Sequence, residues 1–119
     1  MGLDNYIVVE DAALYHRIRE ELNGLSLVRG LVTAEGSHWI RGKVYNELIE
    51  GLTGVSLYQE DIDPQTVEKI HKVLQKTKFS KAKRYMGWWE EEDQEKAWEG
   101  IQKFFEVCVK YNASLGGWW

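Results

Sequence analysis

Cysteine is nearly absent: one thiol, Cys108, occurs in 119 residues. An intrachain disulfide is therefore excluded, and a reducing compartment, by default the cytoplasm, is expected. Long apolar runs are missing as well. No stretch approaches the roughly 18 consecutive apolar residues of a membrane-spanning helix, so no membrane partner is expected. The opening M-G-L-D-N-Y-I-V-V-E-D places Asp4 where a signal peptide would carry basic residues. Gly2 stands where a myristoyl chain could attach, but Tyr6 occupies the position that requires Ser or Thr. Positive charge is in deficit, with a net charge of −4. That argues against general nucleic-acid binding, which depends on a basic surface that displaces counterions.

Catalytic and metal-binding patterns are equally sparse. His16, His38 and His71 stand alone in the sequence, outside any H-E-x-x-H pair and far from Cys108. Nothing in that spacing argues for a metal, and no cofactor is expected. Ser37 lacks the G-x-S-x-G setting of a nucleophilic serine. Cys108 falls on an apolar helix face, where a cysteine is usually an inert small hydrophobe.

What the chain has is a globular balance with a surplus of tryptophan. It is 44% hydrophobic and 29% charged, enough to bury a core as one domain spanning residues 1–119. Six tryptophans are present, four of them in the doublets Trp88-Trp89 and Trp118-Trp119. Tryptophan is large and carries an N–H that needs a partner, so it is often only partly buried. Trp98 reads as core. The terminal doublet reads as a plug over the sheet, a homodimer contact or a stacking surface for a planar ligand.

Taken in order, Tyr6 to Val9 reads as a central strand. Asp11 is a candidate helix cap, and Leu14, Ile18 and Leu22 recur at helical spacing up to Asn23-Gly24. Leu25 to Ala34 is a second strand candidate, with Gly30 inside it. A polar loop leads to a helix from about Lys43 to Leu52, and Val55 to Tyr58 reads as a third strand. Asp63-Pro64 is the clearest helix start, because proline's missing amide would be unpaired there anyway. Its helix runs to about Lys76. A basic stretch from Lys76 to Arg84 follows, then the acidic residues Glu90 to Asp93. The two are expected to pair as a surface hairpin. The last helix spans about Glu91 to Tyr111, with Ser114 to Gly117 as a flexible link to Trp118. The class is α+β: a small three-stranded sheet with about four helices packed mainly on one face. The alternation also allows a parallel α/β sheet.

The most recognition-capable stretch is the loop before the second helix, which carries His38, Trp39, Arg41 and Lys43. Gly36 and Gly42-Lys43 resemble a phosphate-binding loop. However, five residues rather than four separate the glycines, and Val44 replaces the hydroxyl that would hold magnesium. A weaker property remains: a helix start flanked by Arg41 and Lys43 can attract an anion. The competing reading is an ordinary solvated loop.

Met1-Gly2-Leu3-Asp4, followed by an aromatic and a short apolar strand, resembles the opening of a group of small uncharacterised bacterial and phage proteins. The Arg41-Gly42-Lys43-Val44-Tyr45 stretch and the ending Gly116-Gly117-Trp118-Trp119 are similar to features of the same group. The resemblance implies no activity. The expected function is a non-enzymatic binding module for a small, partly anionic, planar ligand of nucleotide type, or for a protein partner. Its ligand-binding residues would be His38, Trp39, Arg41, Lys43, Trp118 and Trp119. One alternative is a phage or bacterial accessory or inhibitor protein acting by protein–protein contact. Another is a small enzyme with His38 as general acid or base and Asp4 or Asp61 as its carboxylate partner.

Overall fold

The computed structural model describes residues 2–23 and 38–119. Strand β1 (Asp4–Val8) leads to helix α1 (Leu14–Leu22). Strand β2 (Trp39–Ile40), helix α2 (Gly42–Thr53), strand β3 (Asp61–Ile62) and helix α3 (Pro64–Lys76) follow. Helix α4 (Phe79–Ala82) passes through a 3-10 turn at Lys83–Tyr85 into helix α5 (Glu91–Lys110) and strand β4 (Ser114–Trp118). Together these form a mixed α+β fold.

Local chemistry accounts for several boundaries. The Thr66 amide donates to the Asp63 carboxylate at 2.8 Å, and Pro64 opens α3 behind that cap. Val67, Ile70 and Leu74 then bury one face of α3 at helical spacing. Glu91, Glu92 and Asp93 fill the first turn of α5, where carboxylates favour the positive end of the helix dipole. Asp11 acts slightly ahead of α1: its carboxylate accepts from the Ala13 amide at 3.0 Å, shaping the turn that precedes the helix.

Among the described residues the sheet has four antiparallel strands in the order β2-β1-β4-β3, not three. Two sequence expectations change with it. Ser114 to Gly117 is not a flexible link but the body of β4, an inner strand. Val55 to Tyr58 is not a strand. Its backbone is satisfied by side chains instead: Asn46 Oδ1 accepts from the Leu57 amide at 2.7 Å, and Asn5 Nδ2 donates to the Leu57 carbonyl at 3.0 Å. An irregular segment can stay buried when its polar groups are paired in this way, and Leu57 is fully enclosed. The strand expected over residues 25–34 lies outside the described residues.

The glycine pair in β4 follows from packing. A Cβ on Gly116 would meet the Tyr6 ring at 2.3 Å, so only glycine lets that ring lie down on the sheet. The core lies between the sheet and the helices. Leu3, Ile7, Ile40, Tyr45, Phe104, Phe105 and Leu115 are all sealed from solvent. Trp89 packs on Tyr45 with centroids 4.9 Å apart and planes tilted by 51°, and Trp98 is buried in the same core cluster. Residues that alternate with the buried ones along β1, namely Asp4, Tyr6 and Val8, remain partly or fully accessible. One sheet face therefore carries the helices and the other is open among the described residues.

Candidate functional site

The open sheet face is built by strand alternation. In β1, Asn5 and Ile7 point to the core, so Asp4, Tyr6 and Val8 point away from it. Register then fixes their neighbours. Tyr6 lies opposite Trp39 on one side and Gly116 on the other, and Asp4 lies opposite Trp118. The Tyr6 and Trp39 rings pack with centroids 4.7 Å apart and planes tilted by 38°. Gly116 leaves room beneath Tyr6, so the aromatic pair lies along the sheet.

Charge sits beside this pair. Arg41 Nη1 lies 3.8 Å from Asp4 Oδ1, with the Arg41 side chain 60% exposed and Asp4 29% exposed. Such a loose, solvated pair holds the guanidinium weakly and leaves most of its donors available. Trp118, 69% exposed, flanks Asp4 at the end of β4. Two rings, a further exposed indole and one accessible guanidinium thus share a surface that carries no helix among the described residues. Arrangements of this kind stack planar groups and hold an attached anion.

The remaining loop residues take other positions. The His38 carbonyl accepts from the Ile7 amide at 3.0 Å. Its ring lies against Tyr15 at 5.2 Å and Trp39 at 5.9 Å. His38 Nδ1 is buried without a hydrogen-bond partner among the described residues. Desolvation, reinforced by the charge of Arg19, holds the imidazole below its usual range. Asp4, one expected carboxylate partner of His38, is paired with Arg41 instead. Lys43 is exposed, but its backbone amide donates to the Leu3 carbonyl at 3.2 Å. Gly42 is buried with Leu3 and Asn5 packed onto its Cα. The α2 start is therefore filled by the chain itself, and Gly42 serves close packing rather than an anion cradle.

The terminal doublet is split as well. Trp119, 49% exposed, packs edge-on to Tyr58 with centroids 5.8 Å apart. The structure thus brings Trp39, Arg41 and Trp118 to one face, and sets His38, Lys43 and Trp119 around it. Sequence reasoning missed Tyr6 and Asp4 as members of that face. The period-2 alternation of D-N-Y-I-V was the available signal, but a short apolar run conceals it.

Two further features bear on chemistry. Cys108 is fully buried, and burial pushes its thiol far up. Among the described residues no group of three or more His, Cys, Asp or Glu side chains could hold a metal ion. Comparison with protein-family models, curated proteins and solved structures returns no match. Among the described residues no helix is long and apolar enough to cross a membrane.

Proposed function

We propose that this chain is a non-enzymatic binding module whose open sheet face stacks a planar, partly anionic group of nucleotide type. The observation that carries the reading is the Tyr6–Trp39 pair lying beside accessible Arg41 and exposed Trp118 on a face that carries no helix among the described residues. A ring would stack on the aromatic pair or on Trp118, and an attached phosphate or carboxylate would draw Arg41 from Asp4. Stacking of a base on an aromatic side chain contributes roughly 1–3 kcal/mol, and a charge-assisted contact to guanidinium adds to it. Titration with nucleoside monophosphates, followed by tryptophan fluorescence and melting temperature, tests the reading. Quenching with stabilisation, both lost in Trp39→Ala, is the expected result. Unchanged fluorescence and melting across the nucleotides would sink it.

A second reading draws on the exposed aromatic end formed by Trp118, Trp119 and Tyr58. Large exposed apolar patches mark protein contacts, and tryptophan is a frequent anchor in them. An accessory or inhibitor protein would use this end to capture its target. Capture from lysate should then fail with Trp118→Ala or Trp119→Ala and survive Trp39→Ala. The acid–base reading of His38 draws less support, because the ring is packed between Tyr15 and Trp39 and its Nδ1 meets no carboxylate among the described residues.

A further inference from the structure

A strong charge asymmetry lies away from the open sheet face. Lys76, Lys78 and Lys81 line a groove of about 440 Å³ between the end of α3 and α4, with Val73, Thr77 and Ser80 completing its walls. Only a few residues later, Glu90, Glu91 and Glu92 project from the start of α5. Proximity in sequence leads one to expect these two sets to neutralise each other. The fold does not pair them. Among the described residues, ion pairs link Lys72 to Glu68, Lys103 to Glu106 and Lys110 to Glu21, but none joins the groove lysines to the α5 glutamates. Lys83 turns instead toward the Phe79 ring, 5.7 Å from its centroid. All three groove lysines and all three glutamates are exposed.

We propose that this surface joins two copies of the chain, with the acidic start of α5 from each copy seated in the basic groove of the other. A two-fold interface must be self-complementary, so that a patch carrying both signs meets its own reverse. Here the basic part is a groove and the acidic part is the exposed start of a 20-residue helix, so the charges agree. The helix dipole also favours carboxylates at that end. A single-stranded nucleic acid suits the groove less well. No aromatic side chain lines it for stacking, and no arginine lines it for bidentate phosphate contact. Solvated ion pairs are individually weak, so the association is salt-dependent. It is independent of ligand binding at the sheet face.

Sedimentation velocity on the full chain at low and high ionic strength tests the proposal. Wild type is expected to dimerise at low salt and dissociate at high salt. Two triple variants separate the patches: Lys76→Glu/Lys78→Glu/Lys81→Glu and Glu90→Lys/Glu91→Lys/Glu92→Lys. Each alone should self-associate roughly tenfold or more weakly. An equimolar mixture should recover association as a heterodimer, because one variant then carries only acidic patches and the other only basic ones. Far-ultraviolet circular dichroism of each variant, matched to wild type, shows that both are folded. A wild type that stays monomeric at low salt, variants that dimerise as well as wild type, or a mixture that fails to associate would each overturn the proposal. So would tighter binding of an oligothymidylate probe to the wild-type groove than of a second copy.

Discussion

Asn5 Nδ2 donates to the Leu57 carbonyl at 3.0 Å and to the Gly116 carbonyl at 3.3 Å, joining β1 to the α2–β3 connection and to β4. Asn5 is the buried polar side chain of the described core. Asn5→Leu would remove both of these bonds and leave the Leu57 carbonyl only the Gln59 amide, at 2.9 Å. A hydrogen bond contributes about 0.5–1.5 kcal/mol net, so the variant should melt a few degrees lower, as calorimetry would record. An unchanged melting temperature would mean that water or a shifted backbone replaces the amide.

Gly42 opposes two principles, and magnitude decides between them. Alanine is the better helix former by about 1 kcal/mol, which predicts that Gly42→Ala stabilises α2. A Cβ there would stand 1.9 Å from Asn5 Oδ1 and 2.7 Å from Leu3 Cδ2. Overpacking a tight core costs about 1–3 kcal/mol, so Gly42→Ala should lower the denaturant midpoint. Gly87 provides the control. A Cβ there meets nothing within 4 Å, and Gly87→Ala should leave the midpoint close to wild type.

The depressed His38 pKa predicts acid sensitivity. Its folded value lies below the ordinary 6.5, chiefly through desolvation and then through Arg19. The unfolded chain therefore binds the proton first, and stability falls as pH drops from about 6.5 toward the folded value. His38→Gln should flatten that part of the stability curve. Glu21 acts in a separate window. Hydrogen bonds from Lys110 and Tyr111 lower its pKa, so its contribution is present above the ordinary 4.5 and is lost as pH falls through its folded value. Glu21→Gln should remove that contribution above the window and flatten the curve within it. Chemical denaturation from about pH 8 down to well below the ordinary carboxylate range distinguishes the two variants, and identical curves would remove the assignment.

Cys108 should be silent to thiol reagents in the native protein. It is fully enclosed and its thiol is held protonated by burial, while the thiolate is the reactive form. Labelling with an aromatic disulfide should proceed only as fast as the chain unfolds, and at full rate in guanidinium. Rapid native labelling would contradict the packing around α5.

Elements that announce themselves by local chemistry were legible in the sequence. Asp63-Pro64 marks the start of α3, and the Glu91–Asp93 carboxylates mark α5. Elements defined by contacts far along the chain were not. Gly116-Gly117 looks like a hinge until Tyr6 is seen lying on it, and Val55–Tyr58 looks like a strand until Asn5 and Asn46 occupy its polar groups. The recognition loop suffered similarly. His38, Trp39, Arg41 and Lys43 are neighbours in sequence, but β2 and the start of α2 send them to different surroundings. Tyr6 joined the site only through its pairing with Trp39.

The register of β1 with β4 has a consequence for the order of assembly. Asp4 pairs with Trp118 and Val8 with Ser114, so an inner strand made early has a neighbour made after all the other described elements. Such long-range pairing is slow, because the loop must close before the contacts reward it. Helices α2, α3 and α5 can dock on one another beforehand, while β1 lacks its main partner. A chain halted at Ala113 should accordingly keep far-ultraviolet helicity and lose the near-ultraviolet signal of packed rings. The last five residues of the sheet thus work as a latch, closing a sheet that all earlier elements can only prepare.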